Sequence, residues 1–148
     1  MESTVIDRVL ERNCAIFHGV FASDNLPNVS SLHRPLVLVA NLDPKSRPGS
    51  HWICMYFNND GGGEYFDSLG AEPKDSFKLY MNKHCDAWTY NNKQLQSTIS
   101  KFCGHYCIWY CMMKNRRIDM YELLKNSTTD TGLNDFLVHR FACKLLLV

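Results

Sequence analysis

Apolar and polar positions change their period several times along the chain, and each change predicts an element. Residues 2–12, ESTVIDRVLER, place Val5, Val9 and Leu10 at helical spacing behind Ser3 and Thr4, which predicts a short opening helix with its apolar stripe on the core. Between Gly19 and Pro35, isolated apolar residues are scattered among Asn, Ser, Pro and Asp, the pattern of an irregular loop. From Pro35, PLVLVANL is a run of branched residues bounded by turn formers and predicts a strand buried on both faces. HWICMYF, residues 51–57, followed by NNDGGG and EYFDSL, predicts an antiparallel hairpin.

Beyond the hairpin the period lengthens. PKDSFKLYMNK, residues 73–83, predicts a short helix opened by Pro73, and AWTYNN another strand. From Phe102 to Lys114 the apolar density predicts a buried helix, with two further helices over Asp119–Lys125 and Leu133–Leu146. The succession reads as one mixed α and β domain over residues 1–148. A chain of this length buries a core without metal or disulfide staples.

Charge narrows the partners little, since a net charge of +1 implies no general attraction to nucleic acid or membrane. Runs such as PLVLVA and CIWYCMM are too short to cross a bilayer. Seven cysteines is an odd number, and no basic and apolar leader opens the chain, so the expectation is a reducing compartment.

Three of those cysteines recur every four residues in SKFCGHYCIWYCMM. Cys103 and Cys111 would stand about 12 Å apart along a helix, too far for one tetrahedral zinc, and no Cys-x-x-Cys knuckle is present. Cys107 and Cys111 lie among Ile108, Trp109 and Met112 and read as small core residues. Cys103 differs, because it opens the helix just before Gly104, where free backbone donors and the macrodipole favour a thiolate.

A thiolate nucleophile needs a base, with a third group to orient it. Among six histidines, His51 opens the hairpin and has a carboxylate partner in Asp67. If the NND turn sets Phe57 opposite Gly61, the same register sets His51 opposite Asp67, with Cβ atoms about 5 Å apart. Gln96, upstream of Cys103, can donate its amide toward an oxyanion alongside the Cys103 backbone amide; Gln94 is its nearby rival.

The order HW, then YFDSLG, then a glutamine, then CG opening a helix resembles the adenovirus-type and ubiquitin-like-protein-specific cysteine proteases. The short chain and the seven-residue interval from Gln96 to Cys103 are similar to the adenain branch, including viral and Polinton-type members, whereas Asp67 in place of Glu is similar to the SUMO proteases. The resemblance implies an α+β, papain-like fold with the cysteine helix packed on a mixed or antiparallel sheet. It implies a peptidase with Cys103 as nucleophile, His51 as base and then acid, Asp67 orienting His51, and Gln96 in the oxyanion hole. It also implies a channel roofed by Trp52, with Gly104 beside it, that favours glycine near the scissile bond.

Further expectations come from the resemblance alone. Cys85 has the spacing of a cysteine through which adenain binds an activating peptide, although NKHCDAW equally fits an incidental thiol. DNA would be a second cofactor, for which Lys101, Lys114, Arg116 and Arg117 offer a basic patch that reads equally as a solvated helix end. Precursor proteins would be the substrates, with the enzyme in the host nucleus or cytoplasm and the virion. Competing expectations are a ubiquitin-like-protein deconjugase, an acetyltransferase built on the same triad, and a non-enzymatic zinc module.

Overall fold

The structure is a computed structural model that describes residues 1–147. Its centre is one five-stranded mixed sheet in the order β1-β2-β3-β4-β5. The strands are Phe17–Phe21 (β1), Leu36–Asn41 (β2), Trp52–Phe57 (β3), Gly62–Phe66 (β4) and Ala87–Tyr90 (β5). The inner three, β2, β3 and β4, pair antiparallel in succession, and each edge strand pairs in parallel with its inner neighbour.

Alternation along the inner strands creates two cores. Val37, Val39, Cys54, Tyr56 and Phe66 face one layer, formed by α1 (Ser3–Asn13), α3 (Cys103–Asn115), α4 (Met120–Lys125) and α5 (Thr131–Leu146). Leu36, Leu38, Ile53, Met55 and Tyr65 face the other, where α2 (Asp75–His84) supplies Phe77 and Met81. Burial on both faces explains why β2 and β3 read as continuous apolar runs. Caps fix the later helices: Asp119 Oδ1 accepts from the Glu122 amide at 2.9 Å, and Asp130 Oδ1 from the Leu133 amide at 3.0 Å.

The structure departs from the sequence reading at two places. Phe17–Phe21 is an edge strand that overlaps the expected loop; β1 gains its ladder from β2, and a bulge between Phe17 and Gly19 breaks the alternation that would have revealed it. The β3–β4 register is two residues from the expected one, with Phe57 opposite Gly63 and Cys54 opposite Phe66. A wider turn causes this: Asp60 Oδ1 accepts from the Gly62 amide at 2.9 Å, Gly61 takes φ 88°, and the Asn58 amide closes on the Gly62 carbonyl. A shift of one residue would have reversed the faces; a shift of two keeps them, so His51 and Asp67 meet on a diagonal.

Candidate active site

His51 immediately precedes β3, and Asp67 immediately follows β4, so one end of the central hairpin presents both. His51 Nε2 lies 2.7 Å from Asp67 Oδ1, and the Asp67 side chain is only 4% exposed. The same Oδ1 accepts from the Leu69 amide at 2.8 Å. Asn91, fully buried beyond β5, holds the Asp67 backbone on both sides: its Oδ1 accepts from the Asp67 amide, and its Nδ2 donates to the Asp67 carbonyl.

The third element is the start of α3. Its N-cap is Phe102, which supplies no side-chain cap, so no side chain competes for the first-turn amides and Cys103 sits at the positive end of the helix. Burial raises the Cys103 thiol, but hydrogen bonding to His51 and the Trp52 amide, the charge of His51 and the Gly104 amide together bring it below its ordinary value. Burial likewise pushes His51 down, yet the hydrogen bonds to Asp67 and Cys103 and their charges carry it up to about 9. Both shifts favour the same charge-separated state, a thiolate beside an imidazolium.

The pair opens on a groove of about 710 Å³ whose walls include Trp52, Leu69, Gln96, Ser100 and Cys103. Gln96 is buried, donating from Nε2 to the Ser100 carbonyl at 3.1 Å, while its Oε1 accepts from Ser68 Oγ at 2.6 Å. Gln94 is exposed and braces its neighbour, donating from Nε2 to the Gln96 carbonyl at 2.9 Å. Trp52 is half-buried and donates from Nε1 to the Met1 carbonyl at 3.1 Å, so the N-terminal segment Met1–Thr4 forms part of the groove wall.

Other expected residues stand elsewhere. Gly104 is buried, and a Cβ there would meet Met1 Cβ at 3.0 Å and Ile6 Cδ1 at 3.3 Å, so what it offers the site is its amide. Cys85 caps α2 on the opposite layer, half-buried, where burial raises its thiol. Lys114 does not belong to an exposed basic patch, because its side chain is 4% exposed and its Nζ lies 3.0 Å from Glu64 Oε1. Lys101 lies on the groove wall, apart from the end of α3.

Cys107 and Cys111 lie in the core with Cys14 and Cys54. Cys54 Sγ is 3.9 Å from Cys111 Sγ, and burial pushes Cys107 up to about 11 and Cys14 up to about 12. Apolar packing thus separates them chemically from Cys103.

Solved structures share this architecture. The ASFV pS273R protease superposes with a TM-score of 0.66 at 19% identity over 93% of this chain and 66% of its own. The chain has the fold of the ubiquitin-like-protein-specific cysteine proteases. Two further members of that fold match: ChlaDub1 from Chlamydia trachomatis, with a TM-score of 0.55 at 14% identity over 75% of this chain and 58% of its own, and the SUMO protease Ulp1, with 0.52 at 14% over 99% and 78%. No protein-family model matches the chain. By sequence it is 25% identical to Uncharacterized protein V9 of Sputnik virophage over 51% of this chain, and it spans about half that protein's length, 53%.

The sequence reading missed Ser68, Asn91 and the Met1–Thr4 wall. Ser68 stood within the quoted YFDSLG, and Asn91 in the polar doublet closing AWTYNN. Their partners lie 28 and 24 positions away, beyond any local pattern.

Proposed function

We propose that the protein is a cysteine endopeptidase that processes precursor proteins of a virus or virus-like element at glycine-containing sites. The part-buried His51–Asp67 pair beside a Cys103 held below its ordinary pKa carries this reading. With Nε2 committed to Asp67, Nδ1 is the ring nitrogen left to serve the thiol.

Cys103 Sγ attacks the scissile carbonyl, and its former proton resides on His51 Nδ1. The S–C bond forms as the carbonyl π pair moves to oxygen, where the Cys103 amide and Gln96 Nε2 receive the charge. Collapse breaks the C–N bond, and His51 gives its proton to the departing amine. Water then attacks the thioester, with His51 taking its proton, and the thiolate leaves. Trp52 beside Cys103 supports the preference for glycine, since a channel walled by an indole admits most readily a residue without a side chain.

The viral context draws on the sequence match to the virophage protein and the structural match to the ASFV protease. A second reading, release of ubiquitin-like proteins, is favoured by Asp67 as the orienting acid and by the span of the Ulp1 match. Glycine-containing peptides and ubiquitin-like fusions, each incubated with wild type and Cys103→Ala, test both. Peptide cleavage lost in Cys103→Ala is expected; cleavage confined to the fusions would replace the first reading with the second, and cleavage surviving in Cys103→Ala would sink both.

A further inference from the structure

The turn that follows β4 carries more than the orienting carboxylate. Ser68 is 1% exposed, and its carbonyl accepts from the amides of both Leu95 and Gln96 at 2.9 Å. Its hydroxyl lies 2.6 Å from Gln96 Oε1. The Ser100 carbonyl can only accept, so the amide end facing it must be nitrogen, and the end facing Ser68 must be oxygen with the serine as donor. The glutamine nitrogen carries two hydrogens, of which Ser100 takes one. The other remains for the groove, which Gln96 lines together with Cys103.

We infer that Ser68 is a positioning residue whose hydroxyl fixes the Gln96 amide with its nitrogen toward the oxyanion, so that one turn, Asp67–Leu69, sets both the base and the oxyanion donor. This rests on the acyl-transfer reading of the site. Without the hydroxyl, Gln96 Oε1 loses its buried donor and the amide is held at one end only, by the Ser100 carbonyl, so its nitrogen is less firmly aimed at developing negative charge. The effect belongs to the transition state, so it should fall on the rate of acylation and spare ground-state binding.

Acylation by p-nitrophenyl acetate tests this, read as p-nitrophenol release and as the mass of the acetylated protein, in wild type, Ser68→Ala, Gln96→Ala and the double variant. Ser68→Ala should slow acylation roughly 10- to 100-fold at unchanged half-saturation. It should add nothing to Gln96→Ala, and Ser68→Thr should restore much of the rate. Iodoacetamide labelling of Cys103 at neutral pH, which reads the His51–Asp67 arm and needs no oxyanion hole, should be unchanged in Ser68→Ala.

Full acylation in Ser68→Ala beside an impaired Gln96→Ala would overturn the inference alone, as would additive losses or a parallel fall in labelling. Full acylation in Gln96→Ala would strike the glutamine's own role. If Ser68→Ala unfolds, Ser68→Cys keeps the shape with a weaker donor, and a loss of at least a few fold is expected from it; wild-type rates would overturn the inference.

Discussion

One oxygen of Asp67 accepts two hydrogen bonds, from His51 Nε2 at 2.7 Å and from the Leu69 amide at 2.8 Å. This fixes the plane of the carboxylate and hence the ring of His51. Because the folded His51 pKa is raised to about 9, the imidazolium contributes stability that is complete below its ordinary value and is lost as pH rises through about 9. The rate of cleavage should fall on the same alkaline limb as the proton donor to the leaving amine disappears. Asp67→Asn removes the carboxylate charge while burial still lowers His51, so the limb should move toward pH 6.5 and the rate at neutral pH should drop roughly 10²-fold or more, measured as a pH–rate profile. A limb that stays near 9 would contradict the assignment.

Among the elements, the end of β4 farthest from Asp67 is tightly constrained. At Gly63 an added methyl would strike Cys85 Sγ and stand 3.0 Å from the Tyr56 carbonyl of the paired strand and 3.2 Å from Met81 Cε. Gly63→Ala is therefore expected to destabilise the fold by about 1–3 kcal/mol, read from the urea midpoint, with part recovered in Gly63→Ala/Cys85→Ala. No recovery would mean that the Tyr56 backbone, rather than the thiol, sets the limit. The elements also show how far pattern reading reaches: α3 was legible from its apolar density and length, and the β3–β4 hairpin from apolar runs flanking a turn-forming NNDGGG. β1 was not, because a bulge interrupts its alternation and its ladder belongs to β2.

At the scale of the whole molecule, a buried polar knot joins the sheet to the helical layer. Lys114 Nζ contacts Glu64 Oε1 at 3.0 Å, donates to the Ile118 carbonyl and lies 4.3 Å from the centre of the Tyr56 ring. Glu64 also accepts from Tyr110 Oη at 2.6 Å and from the Met120 amide at 3.2 Å. Glu64→Ala strands the lysine without its partner and is expected to cost roughly 3–5 kcal/mol by urea unfolding, whereas Glu64→Leu/Lys114→Met should cost less. A double variant weaker than the single one would show that packing, rather than the stranded charge, governs this region.

Sequence by itself determined the types and order of the candidate-site residues, since a cysteine opening an apolar helix, a His and an Asp flanking a hairpin, and an upstream glutamine are local features. It also determined that the strand begun at Pro35 is buried on both faces. Tertiary structure decided what depends on partners distant in the chain: the diagonal register by which His51 reaches Asp67, the turn of Gly104 toward Met1, and the burial of Lys114 on Glu64. It likewise decided the orientation of the Gln96 amide, because a glutamine has two chemically opposite ends of nearly equal shape. Only the donor and the acceptor that fold around it, Ser68 and Ser100, determine which end faces the groove.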